Sequence, residues 1–249
     1  MEFFKSDSLR EIEQELPDPH QTIIFALVIL LIVNAPQFSY EVVIFSAVIA
    51  IFVAIMTDGV MTYLKSRNFI SSQTSMITAL IIINIFRPDE FLFIAVATFL
   101  AILLKNVIRF DNSPIFNPAT LGLFIAFRLV SNPLASEIWW GNNNTIAVIL
   151  LGLIVAWRIH KLAISFSFLL SNAIISYLRF GIDALAFFPF FSAFFMLTEP
   201  KTSPHALKKQ IIFGAFAAVA IHVFTYFSLP SVYLLAILYV GILKFFLGE

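Results

Sequence analysis

The chain has 249 residues, of which 60% are hydrophobic and only 12% are charged. In soluble domains about a quarter of all residues are charged. The composition of this chain therefore excludes an ordinary water-soluble domain and indicates a chain surrounded by lipid. The formal net charge is zero, which gives no indication of nucleic-acid binding. The absence of cysteine excludes disulfides, cysteine-ligated zinc and iron–sulfur ligation by this chain.

Residues 1–20 are polar and acidic, and they lack the basic start of a cleavable signal peptide. Leu9, Ile12 and Leu16 recur at helical spacing before Pro17 and Pro19. This spacing predicts a short helix that lies on the membrane surface. A solvated cytoplasmic tail is the alternative.

The rest of the chain, 21–249, is a series of apolar segments separated by polar or proline-containing turns, and we interpret it as a single transmembrane domain. Each segment is expected to be a helix, because a helix satisfies its own backbone hydrogen bonds in hydrocarbon and an open strand does not. The sequence therefore predicts an all-α membrane protein with about ten transmembrane helices. The predicted segments are 21–37, 40–63, 72–86, 90–108, 117–131, 144–160, 162–178, 183–198, 208–227 and 231–247.

The basic residues predict how these segments are oriented. With ten segments, one side of the membrane receives twelve lysines and arginines, and the other side receives only Arg87, Arg128 and Arg179. Basic residues are enriched in cytoplasmic loops. We therefore predict that both termini are cytoplasmic and that the chain is a multi-pass protein of the cell (inner) membrane.

The third and eighth segments end in a similar pattern. Residues 78–88 (TALIIINIFRP) and 192–200 (SAFFMLTEP) each start with small residues, continue through an apolar stretch, and finish with a charged residue and a proline. The two lie five segments apart, so they would cross the bilayer in opposite directions. This predicts a five-plus-five inverted repeat with halves 21–131 and 144–247. The alternative is that apolar segments resemble one another by composition alone.

An inverted repeat predicts where the two short segments lie. We expect 72–86 and 183–198 to pack against each other about a pseudo-two-fold axis in the membrane plane. Paired short helices of this kind usually frame a binding site.

The loop at 105–121 (KNVIRFDNSPIFNPATL) combines basic side chains with the start of a helix. Lys105 and Arg109 are four residues apart, and we expect them on one face of a helix end. Asn117 followed by Pro118 predicts a helix N-terminus, where free backbone N–H groups attract anions. With Thr120, these residues form a candidate site for an anion or an electron-rich ring edge. The alternative is a capped loop whose basic residues only fix the topology.

The loop at 198–209 (TEPKTSPHALKK) is the second candidate. Thr198, Thr202 and Ser203 supply hydroxyl groups, and Lys201 supplies a positive charge. We expect Ser203 to cap the next helix and Pro204 to be its first residue. The loop therefore predicts either a site for a cofactor phosphate or a solvated turn.

Asp58 is the one carboxylate inside an apolar segment, and acids in such positions are costly and often functional. Lys65 lies seven residues later, so we expect a partly hydrated Asp58 paired with a nearby base. The sequence contains neither a phosphate-binding glycine loop nor a nucleophile motif, and its four histidines fall in different segments or loops. We therefore predict no catalytic residues and no metal site.

Three motifs also occur in a recognisable order. Residues 75–80 (SMITAL), followed by an apolar run and Pro88, resemble the S-x-x-T-A-L helix of a membrane electron-transport family. Residues 116–119 (FNPA) match its F-N-P-A motif, and residues 198–204 (TEPKTSP) resemble its T-D-P-x-T-S-P loop. On these motifs, most of residues 40–245 resembles the NqrB/RnfD family, whose members are membrane proteins of the sodium-translocating NADH:quinone reductase and of the Rnf electron-transport complex.

The resemblance implies ten helices in inverted repeats and flavin-based electron transfer. Full-length members of the family attach flavin mononucleotide (FMN) to the threonine of an S-G-A-T motif after the fifth helix. The corresponding loop here, 130–142 (VSNPLASEIWWGN), lacks that motif, so we expect FMN or riboflavin to be held without a covalent bond. The candidate cofactor-binding residues are Thr78, Lys105, Arg109, Asn117, Thr120, Thr198, Lys201, Thr202 and Ser203.

We expect a membrane component of an Rnf-like electron-transport complex, of a kind that can couple electron flow to ion translocation. It has no nicotinamide site, so it would work with other membrane and peripheral redox subunits rather than as an enzyme alone. The flavin is expected between the 105–120 and 198–204 loops, on the cytoplasmic side. The alternatives are a small-solute or ion channel or transporter with an inverted-repeat fold, and a structural component whose flavin site has been lost.

Overall fold

A computed structural model of the chain describes residues 18–110, 113–130, 143–182 and 188–246. The expected surface helix within residues 1–20 falls almost entirely outside this range. So do residues 111–112, most of the 130–142 loop and the first part of the predicted eighth segment.

The described chain is mostly helical, as the sequence predicts. The α-helices are α1 (Pro19–Asn34), α2 (Tyr40–Ser66), α3 (Gln73–Ile85), α4 (Phe91–Val107), α5 (Pro118–Leu129), α6 (Thr145–Arg158), α7 (Leu162–Phe180), α8 (Leu207–Tyr226) and α9 (Val232–Phe246). A 3-10 turn, Ala35–Gln37, follows α1, and a π-helical turn, Ser192–Met196, lies between α7 and α8. A two-residue hairpin of β1 (Arg109–Phe110) and β2 (Ser113–Pro114) joins α4 to α5.

Polar residues in the sequence determine where several helices begin. The side chains of Ser39, Asn117 and Asn144 accept hydrogen bonds from backbone N–H groups in the first turns of α2, α5 and α6. These groups lack partners inside the helix, so the caps stabilise the helix starts. The predicted start of a helix at Asn117-Pro118 is confirmed.

Two local predictions are wrong. Helix α8 begins at Leu207 rather than at Pro204, and the Ser203 hydroxyl donates to the Glu199 carbonyl (2.7 Å) instead of capping the helix. Lys105 and Arg109 do not share a helical face, because α4 ends at Val107 and Arg109 lies in the hairpin.

Four helical stretches are long and apolar enough to cross a membrane: Pro19–Gln37, Tyr40–Ser66, Leu162–Phe180 and Leu207–Tyr226. Five further apolar helices in the described chain are shorter, among them α3 and α5. Large apolar side chains cover the outside of the bundle; Phe52, for example, is 63% exposed and Leu92 is 75% exposed. Such a surface is compatible with a membrane protein.

The helices pack in a connected bundle. Helix α1 packs on α3 and α6, α2 on α3 and α4, and α3 also on α4 and α5. Helices α4 and α5 pack together, as do α5 and α9, α6 and α7, α7 and α8, and α8 and α9. The π-helical turn packs on α6 and α7. At Gly214 the approach is so close that an added Cβ would lie 2.5 Å from the Ile164 carbonyl oxygen, so α7 and α8 need this glycine.

Contacts between distant segments show which loops share an end of the bundle. Lys65 donates to the Asn106 carbonyl (2.9 Å), Asn117 to the Met196 carbonyl (3.1 Å), and Lys244 to the Lys201 carbonyl (2.7 Å). We call this the basic end, because most of the lysines and arginines of the described chain lie in its loops or in the helix ends next to them. Arg87, Arg128 and Arg179 lie at the far ends of helices that start there.

Candidate functional site

A largely buried lysine, with a side chain that is 10% exposed, lies at the start of the short helix α3, at the basic end. Lys105 reaches across from α4, and its Nζ donates to the hydroxyls of Ser72 (3.1 Å), Thr74 (2.9 Å) and Ser75 (2.7 Å). The Asp58 carboxylate lies 3.8 Å from the same ammonium. We call these five residues the Lys105 cluster.

Asp58 has a different partner from the one that the sequence predicts. Its oxygens accept from the Ser72 backbone N–H (2.8 Å), the Ser72 hydroxyl (2.9 Å) and the Asn106 side chain (3.1 Å). Its basic partner is Lys105, 47 residues further along the chain, and Lys65 bonds to Asn106 instead. Asp58 is only 4% exposed, so the expected partial hydration is also wrong.

The Lys105 cluster supplies a hydrogen-bond partner for a backbone N–H group at the start of α3. The residue before the helix, Ser72, makes no side-chain cap of its own, and Asp58 takes the Ser72 backbone N–H. A carboxylate at a helix N-terminus is favoured by the helix dipole, whereas a lysine there is not. Lys105 is therefore held by the carboxylate and the three hydroxyls rather than by the helix.

The second predicted loop, 198–204, is folded tightly around Glu199. The Thr202 hydroxyl donates to the Glu199 carboxylate (2.8 Å), and the Ser203 hydroxyl donates to the Glu199 carbonyl (2.7 Å). Backbone N–H groups of Thr202 and Ser203 bond to the same carbonyl. The loop therefore has one ordered shape rather than the open form of a solvated turn.

Another lysine, Lys161, is fully buried and forms hydrogen bonds with the end of this loop. It is 1% exposed, and its Nζ donates to the carbonyls of Ser203 (3.2 Å) and Pro204 and lies 3.3 Å from His205 Nδ1. Gln210 bonds to the carbonyls of His160 and His205 beside it. The sequence does not identify Lys161 as a site residue, since its burial depends on contacts more than 40 residues away.

Asn117 links the first predicted loop to the π-helical turn that leads into the second. Its side-chain N–H₂ donates to the Met196 carbonyl (3.1 Å) at the end of the π-helical turn, while its oxygen caps α5 by accepting from the Thr120 N–H (3.0 Å). The charge on Lys105 in turn interacts with Glu199 and Lys201. The structure therefore places the 105–120 and 198–204 loops side by side.

A cleft opens at the basic end between α1, α3, α6 and the residues after the π-helical turn. Its empty space is about 430 Å³, but the centre of a water molecule fits into only about 20 Å³ of this. It is thus wide enough for about one water molecule. The lining residues are His20, Ile23, Thr74, Ile77, Ile81, Val155, Ile159, Phe195, Thr198, Glu199, Pro200 and Lys201.

Most of the predicted donors are used by the chain itself. The Thr78 hydroxyl donates to the Thr74 carbonyl (2.8 Å), and Thr198 donates to the Phe194 carbonyl. Asn117, Thr202 and Ser203 are bonded as described above. Among the predicted hydroxyls, only that of Thr120 is buried without a hydrogen-bond partner in the described chain. Lys201 and Arg109 are exposed.

Glu199 has an unusual electrostatic environment. Burial of its carboxyl group raises the pKa to about 7. The Thr202 hydrogen bond opposes this rise, and so do the neighbouring charges of Lys105, Lys201 and Lys244. Glu199 can therefore gain or lose a proton near neutral pH.

Comparison with protein families finds no family model that matches the chain, and comparison with curated proteins finds no match. In the described part of the chain, no group of three or more histidines, aspartates or glutamates could hold a metal ion. The family relationship, the flavin and the redox partners therefore stay predictions.

We predict that the Lys105 cluster behaves as a buried ion pair. Either Asp58→Asn or Lys105→Met should lower the free energy of unfolding by about 3 kcal/mol, because each leaves one buried charge without its partner. The double variant should lose much less than the sum of the two. Thermal unfolding of the detergent-solubilised variants, followed by circular dichroism, measures this coupling. Additive losses would show that the two charges do not act as a pair.

We predict a pH dependence of stability from Glu199. The unfolded carboxyl group has a pKa near its ordinary value of 4.5, and the folded one near 7, so the folded chain binds the proton more tightly. This contribution to stability is fully present below pH 4.5 and is lost as the pH rises to 7. Melting temperatures of Glu199→Gln should lack this decline between pH 4.5 and 7.

A matched control is Glu41→Gln, which changes an exposed carboxylate in the first turn of α2. The melting temperature of this variant should decline between pH 4.5 and 7 as that of the wild type does. If Glu199→Gln also kept it, the raised pKa would be refuted.

Proposed function

We propose that the chain is an integral membrane protein of ten membrane segments with both termini in the cytoplasm. The four long apolar helices and the apolar outer surface support insertion. The distribution of basic residues supports the orientation, with the basic end facing the cytoplasm. In this topology, residues 183–198 form the eighth segment and include the π-helical turn.

We further propose that the segments form a five-plus-five inverted repeat. A two-fold exchange of α1 with α6, α2 with α7, α3 with the π-helical turn, α4 with α8 and α5 with α9 converts much of the packing into itself. The pair α1–α3 corresponds to the pair of α6 and the π-helical turn, and α2–α3 corresponds to the pair of α7 and that turn. In the same way, α2–α4 corresponds to α7–α8, and α4–α5 corresponds to α8–α9. The pairs α1–α6 and α5–α9 map onto themselves, as helices beside a two-fold axis must.

Surface grooves support the same exchange. One groove lies between α2 and α4, lined by Met56, Val60 and Phe99 among others, and another lies between α7 and α8, lined by Ile175 and Val219 among others. These helix pairs are counterparts in the proposed repeat. In the proposed topology the two grooves open in opposite halves of the bilayer.

The proposed activity is to hold a flavin for electron transfer within a larger membrane complex. The observation that carries it is the cleft, where α3 and the residues after the π-helical turn come together beside cationic groups. The apolar side chains of Ile77, Ile81 and Phe195 in its lining suit an aromatic ring system. Lys201 at the edge would stabilise the negative charge that reduction adds to a flavin.

The side chains that line the cleft suit a flavin, but the cleft is too narrow for one. It admits about one water molecule, so a ring could enter only if the 198–201 residues moved away from α1 and α3. Because most side-chain donors are already bonded, Lys201, Glu199 and backbone groups of this loop would be the polar partners. A non-covalent flavin is proposed, since the expected acceptor motif is missing from the 130–142 loop.

Transport of an ion or small solute is the second candidate. The observation that favours it is a set of buried polar atoms without hydrogen-bond partners in the described chain: Asn84 Oδ1, Thr98 Oγ1, Thr120 Oγ1 and Ser192 Oγ. Such atoms are costly in an apolar interior and often mark a polar pathway. Asn84 lies on α3 and Ser192 in the π-helical turn, the two short elements of the proposed repeat.

A visible absorption spectrum of the purified protein separates the two functions. We predict a flavin spectrum, with the flavin released into solution when the polypeptide is denatured. A colourless protein, prepared from cells with ample flavin, would contradict the flavin proposal and favour transport. Flavin that stays on the denatured polypeptide would refute non-covalent binding.

We also predict that Lys201→Gln lowers the reduction potential of the bound flavin, because it removes a cation at the edge of the cleft. Lys208→Gln is the matched control, since Lys208 is exposed on α8 and does not line the cleft. Spectroelectrochemical titration of both variants measures the potentials. Equal shifts in the two variants would contradict the assignment of the cleft.

A further inference from the structure

The groove between α2 and α4 is open to the outside of the bundle and apolar along its length. Its empty space is about 630 Å³, and its lining residues are Met56, Thr57, Val60, Met61, Phe99 and Leu103. Met56 is 42% exposed, and Val60 and Phe99 are each 46% exposed. In a bilayer this groove would be filled by hydrocarbon, because exposing these side chains to water is unfavourable.

The distance from Lys65 to Met56, the lining residue of α2 that is furthest from Lys65, is about the thickness of one leaflet. Met56 and Lys65 are nine residues apart on α2, which corresponds to about 14 Å along the helix axis. Half of the hydrocarbon core is about 15 Å thick. A chain that enters from the end of α2 would therefore reach the bilayer midplane near Met56.

The end of the groove at the basic end is closed by a cation. Lys65 lies one turn beyond Met61 on α2, and Asn106 lies one turn beyond Leu103 on α4. The Lys65 ammonium bonds to the carbonyl (2.9 Å) and the side-chain oxygen (3.4 Å) of Asn106, so it is held where the two walls of the groove meet. The ammonium has three N–H donors, so these two bonds leave one donor for a ligand.

The residues directly after α2 add one more positive and two more apolar side chains at the same end of the bundle. Arg67 is exposed and ends the helix in the left-handed conformation (φ 61°). Phe69 and Ile70 follow, 53% and 62% exposed, and the Phe69 ring lies against Gly59. The nearby carboxylate, Asp58, is already paired with Lys105. Within the described residues, neither Lys65 nor Arg67 forms an ion pair with a carboxylate, so the end of the groove next to Lys65 is positively charged.

We propose that this groove binds one acyl chain of an anionic phospholipid from the cytoplasmic leaflet, with the lipid phosphate at Lys65. Charge selects an anionic headgroup over a zwitterionic one, and the walls formed by α2 and α4 hold the chain. The proposal rests on the proposed membrane insertion and orientation, but not on the proposed flavin. Its consequence is that an annular lipid remains attached to the first half of the protein when the bulk lipid is removed.

The test compares lipid retention in detergent by native mass spectrometry. The protein is exchanged into detergent with equal amounts of phosphatidylglycerol and phosphatidylcholine that carry the same oleoyl chains. The wild type should retain one phosphatidylglycerol in preference to phosphatidylcholine. Lys65→Gln should reduce this preference about fivefold, the effect of one cation near an anionic lipid. Lys208→Gln, which removes an exposed cation of the same end outside the groove, should not.

A second variant tests the acyl-chain part of the site. Val60→Trp fills the groove from an exposed position, so it should lower retention of both lipids while the protein keeps its elution volume in gel filtration. Unchanged retention in Val60→Trp, or an equal preference in Lys65→Gln and Lys208→Gln, would overturn the proposal. A chain recovered outside the membrane fraction would instead refute the membrane insertion on which it rests.

Discussion

The backbone of interrupted helices needs hydrogen-bond partners inside an apolar bundle, and this constraint shapes the described structure. A short helix such as α3, or a π-helical turn, leaves backbone groups without partners in a region that water does not fill. Neighbouring side chains supply those partners: Ser46 donates to the Pro88 carbonyl and Ser165 to the Ala193 carbonyl. Asn117, Lys161 and Asp58 do the same at the basic end. An unpaired group there would cost several kcal/mol.

This constraint changes how the polar residues of the basic end are interpreted. Hydroxyl and amide groups that look available for a ligand in the sequence are mostly occupied by carbonyls of the interrupted segments. The charged or titratable side chains that line the cleft include Lys201, which is exposed, and Glu199, whose carboxyl group can gain or lose a proton near neutral pH. Binding at the cleft would therefore require the 198–204 loop to change its contacts, while Lys161 bonds to the carbonyls of Ser203 and Pro204 at the end of that loop.

The sequence predicts the helices well because their burial pattern is local. Apolar segments and capping residues such as Ser39 and Asn117 define where helices start, and the helix start at Asn117-Pro118 is predicted correctly. Partners across the bundle cannot be predicted in this way. The sequence pairs Asp58 with Lys65 because both lie on one helix, yet the partner of Asp58 comes from α4. The predicted start of α8 is wrong because the Ser203 hydroxyl bonds within its own loop. The burial of Lys161 likewise depends on contacts that no local pattern records.

The expected packing of 72–86 against 183–198 is not seen among the main helix contacts of the described chain, where α3 and the π-helical turn have different neighbours. The central proposal is that two halves of opposite orientation cross the membrane and place the basic end in the cytoplasm. Because the chain has no cysteine, single cysteines can report which side each loop occupies. Exposed positions suited to this are Gln37 and Ser228 at one end, and Asn68 and Lys208 at the basic end. In intact cells, a membrane-impermeant maleimide should label Gln37→Cys and Ser228→Cys, and should label Asn68→Cys and Lys208→Cys only after permeabilisation. Labelling of Lys208→Cys in intact cells together with protection of Ser228→Cys would show that the interrupted eighth segment does not cross, and would contradict the account.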